Sequence, residues 1–398
     1  MDNPPPSDFH KKAEKFLEIS SDIYANEDER TQKLTEFFSD CFGTPLFVVQ
    51  NKDKTKGDAV IISNHKSGSR AHRCIVEVKC EVGTGGSDPS VQAALSYRRY
   101  WSESSDSKLR QSCCCPSLLL AVAGPWICVL GAVFTTDVIV EPLTDYIWAG
   151  FQPSVETQTL RIAQFLYAFN NAIESLDKFY TSVEVTADER VKVARFFPYI
   201  RSYPHVDNQV TFDYIEPLTE SRKAIFKAKL RTNGKLIVVK FVERYNSAAH
   251  RLLAARGLAP ELLYAETDEP RLPKTPTRLK MIVMGFVEGE NAWERYGDRH
   301  LPGDVVTQVE ESVARLHANK WVFGDLRATN VMIDHQRDGS QKVLLVDFDW
   351  CGVAGESKYP VTVNCSDIKR HPEVQRGGLM DTKHDLYMLE LWKKSLVL

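Results

Sequence analysis

The sequence lacks the features that mark a secreted, disulfide-built or broadly nucleic-acid-coating protein. Its first residues, 1–6, contain no basic segment followed by an apolar one, so no secretory signal is predicted. The nine cysteines form no CxxC pair, so their spacing predicts no zinc site. Their odd number favours a reduced, intracellular setting. The formal net charge of -3 gives no overall basic character, so any contact with nucleic acid must come from a local patch.

Long hydrophobic runs are scarce as well. Residues 118–134 are nearly all apolar, but this run is short for a membrane helix and is interrupted by Gly124-Pro125. We therefore predict two buried strands joined by a turn, and no membrane partner. With 398 residues, of which 43% are hydrophobic and 26% charged, the chain is long enough for two or three globular domains.

Two acidic motifs flank a predicted hairpin in the second half. The first is DLRATN at 325–330, and the second is DFD at 347–349, directly after the apolar run VLLV. Asp338-Gly339 supplies the turn between the two predicted strands. Phosphoryl transfer needs one Asp to accept a hydroxyl proton, and an Asn and a second Asp to hold Mg²⁺ against ATP phosphates. The two motifs together predict such a centre.

A lysine upstream of these motifs lies inside an apolar strand. Lys240 follows two valines and precedes Phe241 and Val242. A buried ammonium needs an anionic partner, and the phosphates of ATP are one. A helix is predicted at 246–256 and further strands near 262–265 and 281–284. A strand that carries a lysine, then a helix, further strands and a short linker occur in the same order in the small lobe and hinge of a kinase.

These features resemble the protein-kinase-like superfamily, a two-lobed α+β domain. The resemblance covers residues 207–398, with a small lobe at 207–290 and a large lobe at 291–398. It implies that Lys240 binds ATP phosphates, that Asp325 is catalytic, and that Asn330 and Asp347 bind Mg²⁺. It also implies that Arg327 contacts the γ-phosphate and that His384-Asp385 buttresses the catalytic loop. The nucleotide contacts that it implies are Ser221, Met284 and Phe286.

The second half also departs from ordinary kinases. Phe323-Gly324 replace the usual His-Arg, Asp349 replaces a glycine, and the first small-lobe turn at 217–223 contains no glycine. No acidic residue between 244 and 256 can pair with Lys240. With the segment from Tyr359 to Asp385, these features resemble the atypical kinases of fungi and of Crinkler-type effectors.

In the first half, two carboxylates and a lysine are predicted to meet on one sheet. Glu77 and Lys79 are two apart on a predicted strand, so their side chains leave the same face, and Asp58 begins the preceding strand. Such a group binds a hard divalent cation and can activate a metal-bound water. With Gln92 on the next helix, the segments GDAVII, VEVK and QAALSYRRY resemble the PD-(D/E)XK nuclease family.

This second resemblance implies an α/β domain at 1–190, with a mixed sheet flanked by helices. Asp58 and Glu77 are then metal ligands, Glu77 and Lys79 are catalytic, and DNA is a partner. Four basic side chains are candidates to meet its phosphates: Arg98, Arg99, Lys108 and Arg110. The alternative is an edge strand with a solvated Glu-Lys pair.

The predicted function is transfer of the γ-phosphate of ATP, with Mg²⁺, to a protein Ser or Thr hydroxyl. The kinase-like domain is joined to a nuclease-like domain that binds or cleaves DNA, in the cytoplasm or nucleus. Two alternatives stay open. A small-molecule phosphotransferase fits the missing activation-loop Arg and the short large lobe. A pseudokinase that binds only nucleotide or partners fits the missing Gly-rich loop and the missing helix acid.

Overall fold

The computed structural model describes residues 4–50, 56–83, 86–103, 107–135, 137–185, 195–206, 208–219, 223–268, 279–297, 301–335 and 341–394. The chain divides into two compact units, Met1–Pro198 (unit 1) and Tyr199–Leu398 (unit 2). No helix in the described ranges has both the length and the apolar character needed to cross a membrane.

Unit 1 begins with two helices, α1 (Ser7–Ser21) and α2 (Glu27–Phe42), although the apolar spacing of residues 8–42 alone would favour helix throughout. The interruption comes at Asn26, whose side chain accepts a hydrogen bond from the amide of Glu29 and caps α2. Gly43 then ends α2 in the left-handed conformation, with a φ of 58°.

A seven-stranded mixed sheet forms the centre of unit 1. Strands β3 and β4 are parallel because α3 (Pro89–Glu103) and α4 (Ser107–Ser112) form the crossover between them, and the other pairs are antiparallel. Strands β4 and β5 hold the apolar run of 118–134, so the prediction of two strands joined by a turn is confirmed. The strands are β1 (Phe47–Gln50), β2 (Lys56–Asn64), β3 (Arg70–Lys79), β4 (Ser117–Ala123), β5 (Trp126–Phe134), β6 (Val138–Pro142) and β7 (Ile147–Trp148).

Both faces of this sheet are covered. Val76 and Val78 of β3 belong to the core that includes side chains of α1, α2 and the long helix α5 (Val155–Ser182). Ile75 belongs to the opposite core, with Tyr97 and other side chains of α3. Because side chains alternate along a strand, Glu77 lies on the α3 side.

Unit 2 opens with a six-stranded antiparallel sheet in the order β12-β13-β11-β10-β9-β8. A turn at Asn233-Gly234 joins β10 to β11, and Gly234 has a φ of 73°. Helix α6 (Ser247–Ala254) follows β11, the strand that carries Lys240. The strands are β8 (Ser202–His205), β9 (Asn208–Pro217), β10 (Ile225–Leu230), β11 (Leu236–Val242), β12 (Leu262–Ala265) and β13 (Lys280–Gly285).

The rest of unit 2 combines helices with two small sheets. The helices are α7 (Ala292–Tyr296), α8 (Gly303–Ala318) and α9 (Thr382–Lys394). One sheet contains β14 (Gly289–Asn291), β16 (Val331–His335) and β17 (Gln341–Leu345), and the other pairs β15 (Trp321–Val322) with β18 (Gly352–Val353).

Strands β16 and β17 bring the two acidic motifs together. They pair antiparallel, with Val331 opposite Leu345, so DLRATN immediately before β16 and DFD soon after β17 lie at one end of the pair. The turn predicted at Asp338-Gly339 lies outside the described residues. The apolar side chains of both strands pack into the core of unit 2, beside those of α8.

Candidate functional site

Lys240 is enclosed with two carboxylates of the DFD motif. Its side chain is 5% exposed, and its Nζ donates to Asp347 Oδ1 and, at 2.7 Å, to Asp349 Oδ1. Both carboxylates are themselves mostly buried, with 17% and 23% of their side chains exposed. A buried ammonium between two carboxylates satisfies the requirement that buried charges be paired.

The three charges shift one another's pKa values. Burial alone would lower the pKa of Lys240, but the attraction of Asp347 and Asp349 raises it above its ordinary value. Burial opposes ionisation of Asp347, yet Lys240 outweighs burial and lowers the pKa of Asp347. Burial and then the charge of Asp347 raise the pKa of Asp349 to about 7. Asp347 is therefore the ionised partner, and Asp349 titrates near neutral pH.

The backbone at Asp347 is strained. Its φ is 72°, in the left-handed region that residues other than glycine rarely adopt. Such conformations cost about 1–3 kcal/mol and persist where the surroundings fix them, often at functional sites. Here the turn at Asp347 brings the next carboxylate, Asp349, back to the same ammonium.

Lys240 and Asp347 line a cavity of about 590 Å³ within unit 2. Asn330 and Arg327 of the DLRATN motif line it too, as do Met284 and Phe286, which were predicted to contact nucleotide. The backbone of this segment is held by two hydrogen bonds. The amide of Gly285 donates to Glu261 O (2.8 Å), and the amide of Phe286 donates to Leu236 O (3.2 Å). Ser221, the remaining predicted nucleotide contact, lies outside the described residues, although nearby Thr219 and Lys223 line the cavity.

Asp325 is buried behind this cavity, and both of its carboxylate oxygens accept hydrogen bonds. Oδ2 accepts from Arg327 Nη2 at 2.7 Å and from Asn330 Nδ2 at 3.1 Å. Oδ1 accepts from Arg370 Nη2 at 2.7 Å. Arg370 is 5% exposed, whereas Arg327 is 29% exposed and lies at the cavity wall. Asp325 is therefore connected to the cavity through Arg327 and Asn330.

The loop before Asp325 is held by Asp385 of α9. Its carboxylate accepts the amides of Phe323 (2.7 Å) and Gly324 (2.9 Å), and His317 Nε2 lies 3.0 Å from Oδ2. Gly324 has a φ of 80°, and a Cβ on it would lie 2.3 Å from Met380 Cε. The left-handed backbone therefore favours glycine at this position, where the protein-kinase-like pattern has the Arg of a His-Arg pair.

Helix α6 carries no acidic residue, and it contacts the DFD motif through neutral groups. The ring of His250 stacks on Phe348, with centroids 4.7 Å apart. The amide of Asn246 donates to Phe348 O at 3.2 Å, and Tyr245 Oη lies 2.7 Å from His250 Nδ1. Burial lowers the pKa of His250 to about 4, so this histidine is uncharged at neutral pH.

Two residues of this site were missed by the sequence analysis. The sequence shows Asp349 in place of a glycine and no acidic residue on α6 to pair with Lys240, and neither feature alone indicates that Asp349 is the partner. Arg370 lies 45 positions after Asp325, in a segment whose sequence has no periodic pattern. The DFD motif has two acids, and the helix that carries the acidic partner of the lysine in kinases has none here. Together these two features could have indicated that Asp349 pairs with Lys240.

The residues of unit 1 that match the nuclease pattern do not contact one another as the residues around Lys240 do. Glu77 is 4% exposed and accepts a hydrogen bond from Ser96 of α3 at 3.3 Å. Lys79 Nζ instead donates to Glu27 at the start of α2, at 2.9 Å. Asp58 lies in β2, one residue before the partner of Val76, but its side chain is outside the described residues. Glu27 was not predicted, since no local pattern links a helix to a strand 52 residues away.

Glu77 lines a second cavity, of about 570 Å³, together with Gln92. Most other polar groups of this cavity are acidic and come from α2, among them Glu27, Asp28, Glu29 and Glu36.

The four basic residues predicted to meet DNA phosphates differ in their surroundings. Arg98, Arg99 and Lys108 are exposed, whereas Arg110 donates to Trp101 O at 2.8 Å and so binds the end of α3. Arg110 therefore has a structural contact in place of a free, phosphate-facing position.

Comparison with known proteins identifies the class of the second unit. Residues 288–359, which include Asp325, Asn330 and Asp347, match the lipopolysaccharide kinase (Kdo/WaaP) family. Over 117 residues, or 28% of this chain, the sequence is 32% identical to the serine/threonine-protein kinase PknI of Mycobacterium tuberculosis and of Mycobacterium bovis. The chain spans 18% of the length of these mycobacterial relatives. The chain contains a kinase-like domain.

Solved structures similar to the chain are also kinases. One is the Cydia pomonella granulovirus kinase PK-1, with a TM-score of 0.36 and 17% identity, over 46% of this chain and 68% of that chain. Another is the Rad53 kinase domain with SCD2 in complex with AMPPNP, with a TM-score of 0.27 and 18% identity, over 35% of this chain and 51% of that chain.

Proposed function

We propose that unit 2 is an ATP-dependent phosphotransferase that moves the γ-phosphate of ATP to a Ser or Thr hydroxyl of a protein. The observation that supports this best is that Lys240, Asp347, Asn330 and Arg327 line one cavity. The matches to kinase sequences support the reaction class. Met284 and Phe286 line the same cavity, which suits an adenine base beside a strand-end linker.

In the proposed reaction, the acceptor oxygen bonds to the γ-phosphorus while the bond from that phosphorus to the β–γ bridging oxygen breaks. The hydroxyl proton passes to Asp325. Lys240 and Arg327 supply positive charge to the phosphates. Since both oxygens of Asp325 hold guanidinium groups, proton acceptance needs one of them to be released. Arg327 is the more exposed, so its turn toward the γ-phosphate leaves Oδ2 with only the hydrogen bond from Asn330 and opens a lone pair for the proton.

The donor set of the cavity fits a Mg²⁺ ion. Asp347 offers carboxylate oxygens, and Asn330 directs its Nδ2 to Asp325, which leaves its own amide oxygen available. Mg²⁺ prefers one or two such oxygens together with phosphate oxygens. When bound, the ion neutralises part of the phosphate charge.

We assign Asp349 to position Lys240. In the absence of an acid on α6, Asp349 is the second carboxylate within hydrogen-bond distance of the ammonium. If Asp347 bound a metal ion, Asp349 would still hold Lys240 in place. The amine thus stays fixed for the phosphates without a movable helix partner.

Transfer of label from γ-³²P-ATP tests the proposal, with wild type beside Asp325→Ala and Asp347→Ala. Asp304→Ala, at an exposed position at the start of α8, is the matched control. We expect transfer by wild type and by the control, and its loss in both site variants. Turnover unchanged in Asp325→Ala and Asp347→Ala would reject the proposal. ATP binding without any turnover in wild type would favour the pseudokinase alternative.

A hydroxyl of a small molecule or glycolipid is the second candidate acceptor. The match to the lipopolysaccharide kinase family favours it, because that family is named for an acceptor that is not a protein. Parallel assays with protein, aminoglycoside, choline-like and lipopolysaccharide acceptors discriminate between the two. The resemblance to fungal and Crinkler-type kinases stays a prediction.

For unit 1 we propose Mg²⁺-dependent binding or cleavage of DNA at the cavity lined by Glu77. The buried carboxylate of Glu77 and the acids of α2 suit a divalent cation, and Lys79 lies beside Glu27. An acidic cavity repels DNA phosphates until a cation binds, so the activity should depend entirely on metal.

Plasmid nicking with Mg²⁺ or Mn²⁺ tests this second proposal. Loss of nicking in Glu77→Ala and Lys79→Ala, with Glu156→Ala on the exposed side of α5 as the control, is the expected result. If no metal supports cutting but DNA still binds, the unit is a binding module.

A further inference from the structure

Three side chains of metal-binding type lie together in unit 2, apart from the cavity lined by Lys240. They are His371, Glu373 and His384, and one ligand atom of each lies within 4.8 Å of those of the other two. The two imidazole rings have centroids 5.1 Å apart. Two histidine nitrogens and one carboxylate oxygen are a ligand set that proteins use for zinc, with a further position left for water.

The buried member of this cluster has a ring nitrogen without a partner. His384 is 4% exposed, and its Nε2 makes no hydrogen bond to any described residue. A buried polar atom left in this way is unfavourable unless something binds it. Half-buried His371 and exposed Glu373 complete the cluster on its solvent side, which gives an ion a route of entry.

The other ring nitrogen of His384 is supported by protein groups. Nδ1 accepts the amide of Asp381 at 3.2 Å and lies 3.1 Å from Tyr359 Oη. Without a cation, the neutral ring therefore carries its proton on Nε2. When a cation binds Nε2, that proton moves to Nδ1 and is donated to Tyr359 Oη, so no proton is gained or lost. Nδ1 then no longer accepts the amide of Asp381. A metal-bound histidine commonly donates its second nitrogen to such an oxygen.

The other two members are also placed for this role. The amide of Glu373 donates to His371 Nδ1 at 3.2 Å, which fixes this ring beside the glutamate. The same shift of a proton from Nε2 to Nδ1 would open His371 Nε2 to the cation, with loss of the hydrogen bond from the Glu373 amide, and the cation would then hold the ring in its place. The carboxylate of Glu373 pairs with Lys383, and both side chains of this pair are largely exposed. Exposed pairs contribute little, so a divalent cation can replace the ammonium.

We propose that His371, Glu373 and His384 form a binding site for a divalent transition-metal cation of the zinc type. Each histidine adjoins a residue that contacts the loop of the DLRATN motif. His371 follows Arg370, which donates to Asp325, and His384 precedes Asp385, which accepts the amides of Phe323 and Gly324. A bound cation would therefore join the Arg370 segment to α9 and hold the guanidinium on Asp325.

Zinc titration of the full chain tests this site without any assay of phosphate transfer. The chain is stripped with EDTA, and Zn²⁺ is added in competition with a chromophoric chelator in buffer without Mg²⁺. We expect one equivalent to bind to wild type and to raise the melting temperature. His371→Ala and Glu373→Gln, both at positions that are not fully buried, should lose that equivalent while their circular dichroism stays unchanged.

Two control variants separate this site from adventitious binding. His205→Ala removes an exposed histidine from β8, and Cys365→Ser removes an exposed thiol from the same segment as His371. Both should retain the equivalent. The proposal is overturned if wild type binds no stoichiometric zinc, if His371→Ala and Glu373→Gln still bind it, or if binding disappears only in Cys365→Ser.

Discussion

Lys79 of unit 1 and Lys240 of unit 2 are both buried on interior strands, but their partners differ. Lys79 pairs with Glu27, whose side chain is 44% exposed. Lys240 contacts two carboxylates that are 17% and 23% exposed. A pair with one solvated member can open at little cost, whereas an enclosed group of charges must stay complete.

The difference extends to the rest of each candidate site. In unit 2 the carboxylate of Asp325 is bound by Arg327, Arg370 and Asn330, and Asp385 holds the loop before it. In unit 1 the acids surround an open cavity, and Glu77 and Lys79 contact different helices. Unit 2 therefore has an organised site before any ligand binds, and unit 1 does not.

The largest expected effect is on catalysis in unit 2. Asp325→Ala should lower phosphate transfer by about 10²- to 10⁴-fold, because a positioned proton acceptor contributes roughly that much. Initial rates with γ-³²P-ATP measure this, beside Asp304→Ala. A rate within threefold of wild type would show that Asp325 does not act on the acceptor.

Stability should separate the two lysines next. Lys240→Ala should cost about 3–5 kcal/mol, because Asp347 and Asp349 are left buried without their cation. Lys79→Ala should lower the free energy of unfolding by about 1 kcal/mol, because water can solvate the carboxylate of Glu27. Denaturant titration followed by hydrogen-exchange mass spectrometry reports each unit separately. Equal losses in the two variants would end the comparison drawn between the two sites.

Two glycines with positive φ give a smaller contrast of the same kind. Gly43 ends α2 with open space around it, whereas a Cβ on Gly324 meets Met380. Gly43→Ala should cost about 1 kcal/mol for the left-handed backbone alone. Gly324→Ala should cost about 1–2 kcal/mol, because the terminal methyl of Met380 must also move aside. Melting curves of the two variants measure the difference, and a smaller loss for Gly324→Ala would contradict the packing described.

The smallest expected effect is a pH dependence of nucleotide binding. The pKa of Asp349 is raised to about 7, so its carboxyl is neutral below that pH and negative above it. ATP without Mg²⁺ should therefore bind more weakly as the pH rises from 6 to 8, by about fivefold, or 1 kcal/mol.

Asp349→Asn should remove this pH dependence and bind Mg²⁺-free ATP at pH 8 as tightly as wild type does at pH 6. Isothermal titration at both pH values provides the measurement. If the variant instead loses only Mg²⁺-dependent binding, Asp349 is a metal ligand and does not position Lys240.

The part of the site that adjoins one hairpin could be predicted from the sequence. The pairing of Val331 with Leu345 follows from two apolar strands with a turn between them, and it brings Asn330 and the DFD motif to one end. Strands around the Asn233-Gly234 turn could be predicted for the same reason. Local patterns carry such information because turn residues and alternation fix the register.

The partners of those residues could not be predicted. The contact of Arg370 with Asp325, and that of Glu27 with Lys79, join segments 45 and 52 residues apart that share no pattern. The contact of Asp349 with Lys240 depends on the left-handed backbone at Asp347, which its sequence does not favour. The interruption between α1 and α2 at Asn26 could not be predicted from apolar spacing alone, because that spacing does not mark a cap.

The contacts between α6 and the DFD motif have a consequence for how this domain responds to its surroundings. Ring stacking of His250 on Phe348 and a backbone hydrogen bond from Asn246 involve no net charge. Dissolved ions screen attraction between charges but leave such contacts nearly unchanged. The helix should therefore keep its place against Phe348 in concentrated salt, where a helix held by an exposed ion pair would loosen.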